Sequence, residues 1–362
     1  TKPEPVLSMT GELKVSQGQA LVGESMTLAQ DLAATIAIEP DRVRVMDLTG
    51  TYGAMQVTKG RATILLAADG PTLEMDLTGS MAAGELVSTL ARGASEQVGK
   101  LIHQLREIHG TVAVLYRLAG PLSVPGGIHF SGGDFQLQDV GFSGDLLPMP
   151  VSGMYGTIRA LANGVEVDHV GGKINGGQFE VNGMVTEDGR LRGVTAFAKV
   201  GLLTLLRILK VDPAADMELQ GSVQLGAMLS GTLQAPKFQV TLDGTDTSIH
   251  APGLLKKPMG KQITVSGEGM RTADGTVILD RVELELLPIR VSGKGKLSWS
   301  PTFKVDGALV SSPISLAALP EGMSLGGLTD GILEVSLDIR GKGPQWKSWQ
   351  YTGWVALTDG LY

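Results

Sequence analysis

Five histidines, His103, His109, His129, His169 and His250, are the side chains best suited to acid–base or metal chemistry, and their spacing supports neither. None stands in an H-E-x-x-H arrangement, and with no cysteine in the chain a mixed zinc set has no thiolate to use. Glu283 and Glu285 form a carboxylate pair. Two residues apart in an alternating segment, they share the solvated side of one strand, whereas glycoside hydrolysis needs two carboxyls across a cleft with separated pKa values. Gly260-Lys261 lacks the earlier glycine of a phosphate loop and is followed by Gln262. Gly267-x-Gly269 and Gly293-x-Gly295 fall inside strand-like stretches. GFSGD at 141–145 has the wrong spacing for a nucleophile elbow. No nucleophile, base and orienter can be assembled from the hydroxyls. Trp299, Trp346, Trp349 and Trp354 gather late in the chain with Tyr351 and Tyr362. They could form a sugar-stacking platform, but core and rim packing is their ordinary use. The expectation is a chain that is not an enzyme, with no cofactor and no metal. A carbohydrate-acting β-solenoid enzyme is the catalytic alternative, and it lacks a catalytic pair.

What positions such residues is written in the composition. Of 362 residues, 43% are hydrophobic but only 4% aromatic, so buried area must come from Val, Leu, Ile, Met and Ala. The branched ones among these suit strands. Fifty glycines are about twice the usual share, and many of them end alternating segments, as turn and bulge residues do. The net charge of −7 is dispersed and shows no basic stripe, so no nucleic-acid partner is expected. The one tight basic pair near a turn, Lys256-Lys257, reads as a solvated loop, with anion or headgroup contact as the alternative. No apolar run reaches the length of a membrane span. The chain begins at Thr1 and ends at Tyr362 inside a strand-like pattern, so a processed chain or a section of a longer protein is expected.

Period-two alternation recurs throughout. Leu73, Met75 and Leu77 alternate with polar residues before Gly79. Phe179 and Val181 flank Glu180. Phe238, Val240 and Leu242 lead to Gly244. Leu284 and Leu286 alternate with glutamates, Val291 continues the next segment, and Leu333, Val335, Leu337 and Ile339 form a late one. One face is therefore dry and one wet, the mark of antiparallel sheets. Asp69-Gly70, Asn163-Gly164, Asp188-Gly189 and Asp274-Gly275 are turn dipeptides between such segments. Inner-face glycines such as Gly293 and Gly295 let a strand bend.

Two stretches break the pattern. Residues 84–108 carry a helical stripe from Val87 to Leu105 and Ile108, and 200–210 is a short apolar helix stopped by Pro213. The units at 221–244 and 331–360 each place a glycine ten positions after the first and then a proline, so tandem β-units describe the chain better than separate globular domains. The expected organisation is β-groove repeats over 1–83, a helical insertion over 84–109, repeats over 110–199, the apolar helix over 200–211 and repeats over 212–362, truncated at the C-terminus. The fold class is mainly β: repeated antiparallel strands in an elongated curled sheet or groove, with two short helical segments.

The texture of PMPVSGMYGTIRALANGVEVDHVGGKINGGQFEVNG, of VGLLTLLRILKVD leading into LQGSVQLGAMLSGTLQAPKFQVTLDG, and of LPIRVSGKGKLSW resembles the AsmA-like family of Gram-negative envelope proteins, in style its YhdP-like branch. The resemblance covers roughly 35–362 and rests on repeat grammar, not on an invariant motif. It implies a periplasmic β-groove, an inner-membrane anchor on a segment absent from this chain, and the movement of glycerophospholipid between the two membranes. Phospholipid acyl chains would be the partners, with membrane or envelope proteins at the ends of the full-length protein. The family supplies no catalytic residues to carry over.

The lining expected of such a groove is Leu73, Met75, Leu77, Phe179, Val181, Phe238, Val240, Leu242, Leu284, Leu286, Val291, Leu333, Val335, Leu337 and Ile339. The alternative is an envelope scaffold in which the same residues form a closed core without lipid.

Overall fold

The structure, a computed structural model, describes residues 10–22, 27–93, 103–124, 127–144, 149–209, 213, 216–252, 255–298, 303–319, 324–325, 330–343 and 349–361. It is mainly β, with two short helices, and its antiparallel sheets do not close into a barrel. The chain divides into two units, residues 1–146 with 151–170, and residues 147–150 with 171–362.

The first unit is a meander of β1 (Gly11–Val22), β2 (Thr27–Ile38), β3 (Arg42–Tyr52), β4 (Met55–Ala67), β5 (Gly70–Ala82), β6 (Leu105–Pro121), β7 (His129–Gly144) and β8 (Val151–Leu161), each antiparallel to the last, with the start of β9 (Gly164–Ile174). Helix α1 (Ala83–Gly93) leaves the end of β5. The expected helical stripe stops early. Leu105 and Ile108 lie in β6, where Leu105 pairs with Gly144 of β7, so ladder pairing overrides the helical spacing at its C-terminal end. The residues between, 94–102, lie outside those described. Register shifts bend β2, β3, β6 and β7, and one shift in each strand holds a non-glycine residue at positive φ: Asp31 and Asp47 at 52°, Glu107 at 52° and Asp139 at 53°. Such bulges add twist and curl the sheet.

This unit carries one buried cluster, contributed by β4 to β9 and α1. Met55, Leu77, Val112 and Val114 are no more than 2% exposed, and Phe135 and Leu137 pack with them under Ala83 and Leu86 of α1. Burying each such side chain is worth about 1.5–3 kcal/mol.

The second unit carries β10 (Gly177–Thr186), β11 (Arg190–Gly201), helix α2 (Leu202–Ile208), β12 (Glu218–Thr232), β13 (Pro236–Asp243), β14 (Thr247–Ala251), β15 (Leu255–Lys257), β16 (Thr264–Arg271), β17 (Val277–Leu286), β18 (Ile289–Ser298), β19 (Lys304–Ser311), β20 (Ile314–Ser315), β21 (Ser324–Leu325), β22 (Asp330–Lys342) and β23 (Gln350–Leu361). Ten of these form one antiparallel ladder in the order β10-β11-β12-β13-β16-β17-β18-β19-β22-β23. The expected turns at Asp188-Gly189 and Asp274-Gly275 close its β10–β11 and β16–β17 hairpins. At one end of the ladder β12 parts from β13 and pairs with β14, which starts the small β14-β15-β21 sheet. Helix α2 and the 3-10 turn Leu316–Ala318 sit at this same end.

Candidate functional site

Antiparallel registration stacks the apolar parity of the second unit into cross-strand rows. One row runs Val181, Ala196, Ala227, Val240, Gly267, Val282, Gly293, Leu309, Leu337. The row beside it, toward the Asp188-Gly189 and Asp274-Gly275 hairpins, runs Val194, Leu229, Phe238, Gly269, Leu279, Gly295, Gly307, Ile339, Tyr351. On the other side lie Phe179, Ala198, Leu225, Leu242, Val265, Leu284 and Val291.

These rows differ in what covers them. Two buried clusters occupy the capped end. One is Ile174, Val200, Leu205 of α2 and Val223; the other is Ile263, Leu286, Ile289, Ile314, Leu316 and Leu333. The row from Phe179 to Val291 borders them: Phe179, Leu225 and Leu242 pack on the first, Leu284 and Val291 on the second. The Val240 and Phe238 rows belong to neither cluster, and Val240, Phe238, Val282, Leu229 and Leu337 are only half-buried. The result is an aliphatic face, floored by ten strands and stopped at one end, whose middle is left accessible.

The residues singled out in the sequence fall into two groups. Phe179, Val181, Phe238, Val240, Leu242, Leu284, Val291, Leu337 and Ile339 are brought together on this face, and Val335 lies beside it opposite Val355. Leu286 and Leu333, at 2% and 8% exposure, are packed into the capping core. In the first unit Leu73 and Leu77 are 4% and 2% exposed, and the half-buried Met75 packs on the same closed core as Leu77. Sequence reasoning passed over Val194, Ala196, Ala227, Leu229, Leu279, Val282 and Leu309, which also belong to the two middle rows. The alternation Val223-x-Leu225-x-Ala227-x-Leu229 carried that signal.

The opposite side of the ladder is wet. A shallow hollow of about 490 Å³ there is lined by Met228, Gln239, Glu268, Arg281 and Glu283. Arg281 donates to Glu283, and this holds its guanidinium pKa above the usual value. The same side also exposes Phe197, Met228, Val310 and Trp354, so it is a mixed surface in which charged and apolar side chains alternate.

Lys257 overturns its reading as a loop residue. It ends β15 at 1% exposure, and its ammonium donates to the carbonyl oxygens of Gly244 at 2.9 Å, Thr245 at 3.2 Å and Thr247. The adjacent Asp243 carboxylate accepts from the Thr245 hydroxyl at 2.6 Å and backbone N–H at 2.8 Å, contacts that lower its pKa. Burial pushes the Lys257 pKa down, while Asp243 and Asp246 oppose the shift. This cage ties the small sheet to the ladder end.

All five histidines are exposed. Among the described residues no three acidic or histidine side chains converge as a metal site, and no helix is long and apolar enough to cross a membrane. Of the late tryptophans, Trp349 stacks on Phe303 and Trp354 is exposed on the wet face of β23, while Trp299 and Trp346 lie outside the described residues. No protein-family model, curated protein or solved structure matches the chain.

Proposed function

We propose that the second unit binds the hydrocarbon of glycerophospholipids on its open apolar face, as a section of a periplasmic conduit between inner and outer membranes. One observation carries the reading: the Val240 and Phe238 rows stay half-exposed across ten strands instead of being packed away. An acyl chain of about sixteen carbons would gain on the order of 12 kcal/mol over water there, comparable with what a bilayer offers it. The lining is nearly uniform and aliphatic, so it supplies many similar positions and no deep trap, which favours sliding. No step in this reading breaks a bond, and the protein would act as a carrier without catalysis. The resemblance to the AsmA-like family supports the envelope setting and an anchor on a segment outside this chain.

The buried cluster of the first unit favours the scaffold reading for that part of it, since Leu77, Val112 and Val114 leave hydrocarbon no access there. The two readings separate on purified protein. Native mass spectrometry of the chain after mild isolation is expected to show bound phospholipid. Lipid-free protein, still empty after incubation with phospholipid vesicles, would leave the scaffold as the function of the whole chain.

A further inference from the structure

The side of the ladder away from the apolar rows carries a trough. Its parity sets one row, Phe197, Gly226, Thr241, Ser266 and Glu283, across the middles of β11, β12, β13, β16 and β17. The centre of that row is small, and Phe197 and Glu283 stand at its ends. A Cβ built at Gly226 would meet nothing within 4 Å. Longer side chains flank the row: Met228, Gln239, Glu268 and Arg281 toward the hairpins, and Gln224 and Asp243 toward the capped end. The hollow of about 490 Å³ lies along the first of these walls, with Gly226, Thr241 and Ser266 as its floor. Five strands at a spacing of about 4.8 Å make the row about 19 Å long.

Its chemistry mixes two kinds of group. Phe197 is 49% exposed directly opposite Gly226, and Met228 on the wall is 56% exposed. Apolar side chains at polar-parity positions beside an open hollow suit a ligand that has apolar as well as polar surface. The Gln239 amide and the Thr241 and Ser266 hydroxyls make no side-chain hydrogen bond among the described residues. Arg281, the cation lining the hollow, donates to Glu283, and Glu268 adds a further negative charge, so an anionic ligand is disfavoured. A peptide added as a strand needs an unpaired strand edge, and all five strands are paired on both sides. Neutral sugar rings fit what is left. A pyranose turns a C–H face to an aromatic ring or thioether, and its hydroxyls meet planar amides and carboxylates in pairs. Rings joined by β-linkages repeat at close to the strand spacing, so successive strands present one polar side chain to each ring.

We propose that this trough binds a neutral β-linked glycan chain lying across the strands, with a ring stacked on Phe197 and hydroxyls bound by Gln239, Ser266 and Glu268. The proposal is independent of the hydrocarbon reading, because it uses the opposite parity of the same strands. One sheet then meets lipid on one side and glycan on the other.

The test titrates the full chain with chitohexaose and with cellohexaose by isothermal calorimetry. Saturable binding of at least one is expected. Phe197→Ala and Gln239→Ala should each weaken it roughly fivefold to tenfold, and Ser266→Leu, which fills the floor, at least as much. Phospholipid content of the three variants should match wild type. Wild-type protein that binds neither sugar overturns the site, and so does binding that all three variants retain. Variants that lose phospholipid together with sugar overturn the independence of the trough. Wild-type protein that binds sugar but takes up no phospholipid removes the hydrocarbon reading and leaves this one standing. In a second measurement, acidic hexagalacturonate should compete on the order of tenfold more weakly than the neutral sugar. Equal competition would overturn the assignment to a neutral chain.

Discussion

Gly267 of β16 sits directly opposite Val282 of β17, and a Cβ at position 267 would meet only Val282 Cγ2 at 4.0 Å and the Arg281 carbonyl at 3.8 Å. The middle of the apolar face thus has room for a side chain that the sequence leaves out. Gly267→Leu should fold normally, changing stability by less than about 1 kcal/mol, because glycine inside a strand contributes nothing to packing. Its four added carbons would occupy the tail path and reduce bound phospholipid by about tenfold, each displaced methylene being worth about 0.8 kcal/mol. Gly226→Leu is the matched control. Gly226 lies in open space on the wet face of β12, and the same leucine there should leave loading untouched. Equal lipid content in Gly267→Leu and wild type would show that hydrocarbon does not use this face.

The same alternation makes a parity scan decisive. A photo-crosslinking residue at Phe238 or Val240 should label bound lipid, and one at Gln239 or Thr241, on the exposed wet parity of β13, should not. At Leu77 in the first unit, 2% exposed within a closed core, no label is expected. Labelling at all four β13 positions alike would indicate non-specific coating.

Much of this arrangement was readable in the residues. Phe238-x-Val240-x-Leu242 announced a half-wet strand, Asp188-Gly189 and Asp274-Gly275 announced its hairpins, and both short helices were visible as breaks in period two. Four features were not, for physical reasons. The bulges at Asp31, Asp47, Glu107 and Asp139 place non-glycine residues at positive φ, where only neighbouring strands decide the backbone. Leu105 and Ile108, three residues apart, fit a helix face and not a regular strand, and only the ladder to β7, with its bulge at Glu107, carries both in β6. Burial of Lys257 depends on three carbonyls converging from a turn a dozen residues away, which no local pattern encodes. Open and closed apolar parity also look alike in sequence: Leu77 and Val240 occupy the same kind of alternating segment, and only what packs above them separates core from accessible face.

The cap at the end of the ladder is expected to be a distinct stability element. Leu205 of α2 is 8% exposed among Ile174, Val200 and Val223. Leu205→Ala should cost about 2–4 kcal/mol in denaturant unfolding, with faster amide exchange first in β11 and β12, whose Val200 and Val223 it covers. A loss under about 0.5 kcal/mol, the range of ordinary surface substitutions, would mean that α2 merely rests on the sheet.

Lys257 makes a prediction about pH. Its folded-state pKa lies below the ordinary lysine value because burial disfavours the ammonium. As pH rises toward that ordinary value, about 10.4, the folded chain releases this proton before the unfolded chain does. The unfolded state then holds more protons, so this residue's contribution to stability rises with pH across that window and levels off above it. Lys257→Met removes the titration together with the donors to Gly244, Thr245 and Thr247, and should cost about 2 kcal/mol near neutral pH. The stability difference between wild type and Lys257→Met, followed by urea unfolding from pH near 7 toward 10, should therefore widen in favour of wild type. A difference that stays flat or narrows would mean that the caged ammonium titrates at or above its ordinary pKa, with the carbonyl cage outweighing burial.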